Sequence, residues 1–163
     1  VVSEFFLSPL SEDHARIIIT WRYDPPYDLY DLSEKDLAGF LNPDYSYHQV
    51  LDSKGDLAGY CCFGLDAQVP GGEYSQNGPE VLDIGVGMKP GLTGRGYGTT
   101  FVANILDYGR NTYNPEVFRA TIASFNQRSL KTFQNLGFTI KGSFIRELAR
   151  IEFYQLEKPA KEY

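Results

Sequence analysis

Apolar residues recur along this chain with two periods, and Ser, Asn, Gly or Pro stands at most of the points where the period changes. Glu4 to Leu7 reads as a short strand. Ser11 then occupies an N-cap position before a helix to about Thr20, with Ala15, Ile18 and Ile19 on its apolar face. Trp21 to Asp31 is a loop broken by Pro25-Pro26, and Ser33 opens a second helix, Glu34 to Leu41. Tyr47 to Leu51 and Leu57 to Phe63 are antiparallel strands joined through Ser53-Lys54-Gly55-Asp56. Asp66 to Pro79, polar and rich in Gly and Pro, is an exposed loop.

Val81 to Met88 is a strand, followed by a glycine-rich turn and a helix to about Arg110. Phe118 to Ser124 alternates as a strand. Asn126 to Leu136 is a helix ended by Gly137, which suits a left-handed C-cap, and Phe138 to Arg146 and Arg150 to Glu157 form a terminal strand pair. The order β-α-α-β-β-β-α-β-α-β-β predicts an α/β (α+β) chain. Its one parallel crossover runs through the helix after the glycines.

That crossover carries the densest chemical signal, Pro90-Gly91-Leu92-Thr93-Gly94-Arg95-Gly96-Tyr97-Gly98-Thr99-Thr100. A strand entering a glycine turn that starts a helix leaves backbone N–H groups unpaired at the positive end of a helix dipole, which suits phosphate. A dinucleotide fingerprint read from Gly94 and Gly96 would need its third glycine at Thr99, and a P-loop would need a lysine that is absent between Gly91 and Thr100. The preceding strand puts Leu82, Ile84, Val86 and Met88 on one face and Val81, Asp83, Gly85 and Gly87 on the other. Alternate glycines suggest a ligand lying along the backbone. Asp83 is then either a carboxylate on a cleared face or a salt-bridged aspartate at the strand start.

Composition narrows the picture in four ways. At 163 residues the chain is long enough for one domain, 1–163, with a sizeable core. The formal net charge of −6 disfavours nucleic acid as a partner and favours small cationic amines or basic peptides. No apolar run approaches the roughly 18 residues of a membrane span, and no basic segment precedes an apolar one at the start, so no membrane partner and a cytoplasmic location are expected. Cys61 and Cys62 are adjacent and read as buried small hydrophobes in a reducing compartment. His14 and His48 are scattered, so no metal is expected.

Two motifs together resemble the GNAT superfamily of acyl-CoA-dependent N-acyltransferases. Thr93-Gly94-Arg95-Gly96-Tyr97-Gly98 carries the three glycines of its Gln/Arg-x-x-Gly-x-Gly/Ala turn. Asn126-Gln127-Arg128-Ser129 with Leu136-Gly137-Phe138 matches its second signature of Asn-x-x-Ala/Ser followed by Gly-Phe. The resemblance implies a single mixed, mostly antiparallel sheet with helices on both faces. It also implies acetyl-CoA as co-substrate and an amine as acceptor, attacked directly, and it leaves a homodimer open.

By the same resemblance, Thr93, Gly94, Arg95, Gly96, Gly98 and Thr99 would hold the pyrophosphate. The pantetheine would pair with the backbone of Val86 and Met88, in a splay between that strand and Phe118 to Ser124. The Val86 N–H would polarise the thioester carbonyl, and Asn126 would reach the pantetheine as well as cap its helix. Two departures stand out: Thr93 replaces the usual Gln/Arg, with Arg95 as the nearest compensation, and Phe133 replaces a tyrosine proposed to protonate the leaving thiolate. Asp83 is the first candidate for the base that must deprotonate the amine, with Glu80 second. A cysteine nucleophile is not required by direct attack.

The acceptor pocket is expected from the first two helices and the loop between them, with Trp21, Tyr23 and Tyr27 as its residues. Aromatics interleaved with aspartates suit a cationic amine, or equally a loop packed on the core. Tyr74 with residues 68–78 reads as a lid or a variable insertion. An acyl-CoA-binding module without catalysis is the alternative to an enzyme.

Overall fold

The computed structural model describes residues 4–74 and 78–161. Seven strands, β1 (Phe6–Pro9), β2 (Tyr47–Leu51), β3 (Leu57–Phe63), β4 (Val81–Met88), β5 (Val117–Ala123), β6 (Thr139–Arg146) and β7 (Ile151–Pro159), form one sheet in the order β1-β2-β3-β4-β5-β7-β6. All neighbours are antiparallel except β4 and β5, the pair joined through the helix that follows the glycine turn. The predicted element order is therefore observed.

Four α-helices, α1 (Glu12–Ile18), α2 (Leu37–Phe40), α3 (Gly98–Tyr113) and α4 (Gln127–Asn135), cover the sheet. Phe101, Val102, Ile105 and Leu106 of α3 and Leu130 and Phe133 of α4 bury against Cys61, Phe63, Ile84, Phe118 and Ala120. Ala15, Ile18 and Ile19 of α1, Phe40 of α2 and Trp21 form a second cluster against Tyr47, Leu57 and Tyr60. Apolar stripes of about 100° width on each helix are what make these two layers. The second helix is shorter than predicted. Glu34–Asp36 is a 3-10 turn and only Leu37–Phe40 is α-helical, since Gly39 and Pro43 oppose a longer helix.

His48 is buried between Phe63 and Tyr108. Its Nδ1 lies 2.9 Å from the Ser46 carbonyl and its Nε2 lies 3.1 Å from the Tyr108 hydroxyl. A neutral ring satisfies both contacts, and burial lowers its pKa from the ordinary 6.5. Among the described residues, no group of three or more His, Cys, Asp or Glu could hold a metal ion, and no helix is long and apolar enough to cross a membrane.

Candidate active site

β4 and β5 pair only over Val81 to Asp83 and Val117 to Arg119, then part. β4 continues to Met88 against β3, while β5 continues to Ala123 against β7. The apex of this opening is pinned by an ion pair. Arg119 Nε donates to Asp83 Oδ1 at 2.6 Å and Arg119 Nη2 to Oδ2 at 2.8 Å. Gln68 Nε2 adds a 3.0 Å bond to Oδ2. The Tyr74 ring stacks on the guanidinium at 4.7 Å, and its hydroxyl contacts Thr121 Oγ1 and accepts from the Val69 N–H. The bond to Asp83 and the nearby charge outweigh desolvation and raise the pKa of Arg119.

Backbone direction along β4 can be read from its ends. The Asp83 carbonyl accepts from Gly64 N–H, and Lys89 N–H donates to the Ala58 carbonyl, so odd-numbered residues point to β3. Alternation then turns the N–H and C=O groups of Ile84, Val86 and Met88 into the gap. The Met88 carbonyl already accepts from the Tyr23 hydroxyl at 2.7 Å, which leaves Val86 N–H and C=O and Met88 N–H facing the opening. Burial, with Asp31 nearby, pushes the pKa of that phenol up to about 12.

The turn stands at the mouth of this gap. Gly94 and Gly96 have φ of +71° and +85°, the left-handed region that costs other residues strain. Phe101 N–H is the first to close on the helix, at 2.9 Å from the Tyr97 carbonyl. The N–H groups ahead of it, from Gly94 through Thr100, donate to no backbone carbonyl among the described residues and form a nest of unpaired donors, the kind of turn that suits an anion. Thr93 lines the cavity beside them, with its N–H and its hydroxyl both turned to the Pro90 carbonyl, at 3.3 and 2.8 Å.

Arg95 is exposed and outside the cavity lining. Arg128, which the sequence reading did not single out, stands beside the turn inside the cavity. Its guanidinium lies over the Tyr27 ring at 4.7 Å, and Nη2 stands 3.5 Å from the point where a Cβ on Gly94 would lie. Arg128 and Lys131 line the cavity from α4, whose first turn holds no acidic residue. A cation beside a helix N-terminus is unfavourable without an anion, and this was the legible signal for it.

A cavity of about 710 Å³ runs from the turn, through the gap, to the layer of α1 and α2. Its walls include Val86, Met88, Gly94, Gly96, Gly98, Thr99, Asn126, Tyr23 and Tyr27, so the structure brings most of the expected residues together. Asn126 caps α4 by accepting from Ser129 N–H at 3.1 Å, and its Nδ2 donates to the Tyr30 hydroxyl at 3.1 Å. Tyr30, from the loop expected to form the acceptor pocket, also lines the cavity, as do Tyr47, Tyr60 and Asp66, which the sequence reading had not assigned to it.

Other expected residues are placed differently. Trp21 does not line the cavity: it is buried in the second cluster with its ring 6.2 Å from Tyr60, which does. Asp83 is 4% exposed, outside the cavity, and spends both oxygens on Arg119, so taking a proton would break those bonds. Glu80, the second candidate for the base, is exposed and also outside the cavity. The glycines of β4 line the cavity and also make room for neighbouring side chains. A Cβ on Gly87 would stand 2.3 Å from the Tyr60 ring, and one on Gly85 would stand 2.9 Å from Cys62 Sγ. Tyr74 is tied down by its bonds to Val69 and Thr121, while residues 75–77 of the proposed lid lie outside the described residues.

Cys62 lines the cavity without being a nucleophile. Burial pushes its pKa up to about 12 despite partial relief from the Tyr47 hydroxyl, and burial carries Cys61 well above the ordinary 9.0. At pH 8 only about one Cys62 in ten thousand would be a thiolate. A colorimetric disulfide reagent is therefore expected to titrate no thiol in the folded chain at pH 8, and both in denaturant. Immediate labelling of one thiol in the folded chain would contradict this.

The sequence model of the acetyltransferase (GNAT) family matches residues 10–138. Among solved structures, a GNAT-family acetyltransferase from Bacillus anthracis superimposes with a TM-score of 0.74 at 16% identity, over 98% of this chain and 96% of that one. The spermidine/spermine N-acetyltransferase SpeG from Vibrio cholerae, solved with manganese ions, gives a TM-score of 0.69 at 14% identity, over 96% and 93%. Identities this low carry the fold alone. Comparison with curated proteins by sequence finds no match.

Proposed function

From the premise that this chain belongs to the acetyltransferase (GNAT) family, we propose that it transfers an acetyl group from acetyl-CoA to a primary amine by direct attack. The observation that carries this reading is the continuity of the parted β4–β5 gap with the glycine nest at its mouth. Pyrophosphate oxygens would accept from the N–H groups of Gly94 through Thr99, with Arg128 and Lys131 beside them. The pantetheine would extend along the free edge of β4 and pair with Val86 and Met88, with Asn126 facing it from α4. The thioester carbonyl would accept from Val86 N–H, a fixed donor in a partly dry site, where such a bond strengthens as charge develops on oxygen.

The rest of the chemistry is proton transfer. An alkylammonium near pKa 10 has no lone pair to attack with and must first lose a proton. Asp83 is committed to Arg119, and among the described residues the carboxylate that faces the cavity is Asp66. Phe133 is buried against Phe138, so α4 supplies no hydroxyl at that position to the leaving thiolate.

Release of free thiol from acetyl-CoA, followed with a panel of primary amines and by the mass of the product, tests the proposal. Amine-dependent thiol release with a product heavier by one acetyl group is expected. Tight CoA binding without turnover of any amine or N-terminal peptide would instead support a binding module.

A further inference from the structure

The acceptor end of the cavity has a composition of its own. Five tyrosines, Tyr23, Tyr27, Tyr30, Tyr47 and Tyr60, line it, and Asp66 is the one carboxylate among the described lining residues. The Tyr47 hydroxyl donates to Asp66 Oδ2. Tyr47, Cys62 and Gly85 are in register across β2, β3 and β4, so the Tyr47–Asp66 pair stands on the strip of sheet that ends at Gly85. Gly85 immediately precedes Val86, whose N–H faces the gap, roughly 3.3 Å further along the strand. From that pair the ring faces continue. Tyr47 and Tyr60 have centroids 6.4 Å apart, and Tyr27 and Tyr30 each lie 6.0 Å from Phe125. The cations of the lining, Arg128 and Lys131, belong to α4, and the Arg128 guanidinium lies between Gly94 and the Tyr27 ring, where the turn end and the acceptor end meet.

Resting on the acetyl-transfer reading above, we propose that the acceptor is an arylalkylamine: one ammonium received by Asp66 and Tyr47, on a short chain ending in an aromatic ring that packs among the tyrosines. A polyamine carries several charges and would leave all but one without a carboxylate. An amino acid would bring its own carboxylate against Asp66. A single charge with a flat apolar group fits both the count of carboxylates and the tyrosine faces, which attract cations and rings alike.

In the step itself, Asp66 takes one proton from the ammonium, directly or through the Tyr47 hydroxyl, and passes it to solvent. The amine nitrogen bonds to the acetyl carbon, the carbon–sulfur bond breaks, and the nitrogen's second proton is matched by protonation of the thiolate. The balance is ammonium plus acetyl-CoA giving amide, CoA thiol and one proton.

The test uses the full chain, with 2-phenylethylamine, hexylamine, spermidine, phenylalanine and a short peptide as probes. Expected kcat/KM for 2-phenylethylamine exceeds that for hexylamine severalfold, and that for spermidine or phenylalanine about tenfold, the scale of one charge left without its partner. Asp66→Asn should lower kcat/KM for 2-phenylethylamine about a hundredfold at unchanged acetyl-CoA affinity, with partial recovery in Asp66→Glu. Calorimetric binding of 2-phenylethylamine to the CoA-bound chain separates this proposal from the one it rests on. Binding that weakens at least tenfold in Asp66→Asn supports the arylalkylamine site even where no acetylation is seen. Preference for spermidine, phenylalanine or the peptide, or binding indifferent to Asp66→Asn, overturns it.

Discussion

Gly96→Val is expected to weaken acetyl-CoA binding about a hundredfold while the chain stays folded. Gly96 has φ +85° in an exposed turn, and a Cβ there would meet nothing within 4 Å, so the substitution creates no clash with the core. What it disfavours is the backbone shape: a β-branched residue pays about 1–2 kcal/mol or more in the left-handed region, and the turn relaxes to another conformation. The N–H groups of the nest then lose their common aim. Charge-assisted bonds to phosphate are worth about 1.5–3 kcal/mol each, so losing one or two gives the stated loss. Gly91 is the matched control, with no left-handed φ and open space around its Cβ, and Gly91→Ala should leave affinity unchanged. Isothermal titration with CoA, beside the melting temperature, checks both, and retained affinity in folded Gly96→Val would remove the turn from the cofactor site.

The second large effect concerns a single hydrogen. Val86→Pro deletes the N–H assigned to the thioester carbonyl, and kcat is expected to fall about a hundred- to a thousandfold. Proline is ordinarily excluded from a central strand because it removes a ladder bond. At Val86 the N–H faces the gap and not β3, so the β3–β4 ladder keeps its bonds. Gly85, the residue restricted by a following proline, is already in a strand. CoA affinity should change only severalfold. A folded Val86→Pro chain with unchanged kcat would mean that the oxyanion is stabilised elsewhere.

The fold was legible because its signals are local. Ser11 and Asn126 cap helices, Gly137 ends one with φ +97°, and alternation marks the strands. The cofactor end of the site was legible for the same reason, since the nest is built from consecutive residues. The acceptor end is assembled from β2, β3, the 3-10 turn after β3 and the loop after α1, and its members meet only through strand register. Tyr47 and Tyr60 look in sequence like ordinary strand aromatics, and Asp66 like a loop acid. Asp83 misled because strand alternation gives a face but not a partner, and Arg119 on the neighbouring parallel strand claims it. Trp21 misled in the same way, as a large aromatic beside a predicted pocket that proves to belong to the core.

Acetyl-CoA is expected to lie in the gap between β4 and β5 with its carbonyl on Val86. A crystal structure of the chain with acetyl-CoA tests this most directly. It should place the pyrophosphate on the N–H groups of Gly94 through Thr99, the pantetheine along Val86 and Met88, and the thioester oxygen within about 3 Å of Val86 N. Acetyl-CoA bound outside the gap, or with its thioester directed away from Val86 and toward solvent, would contradict it.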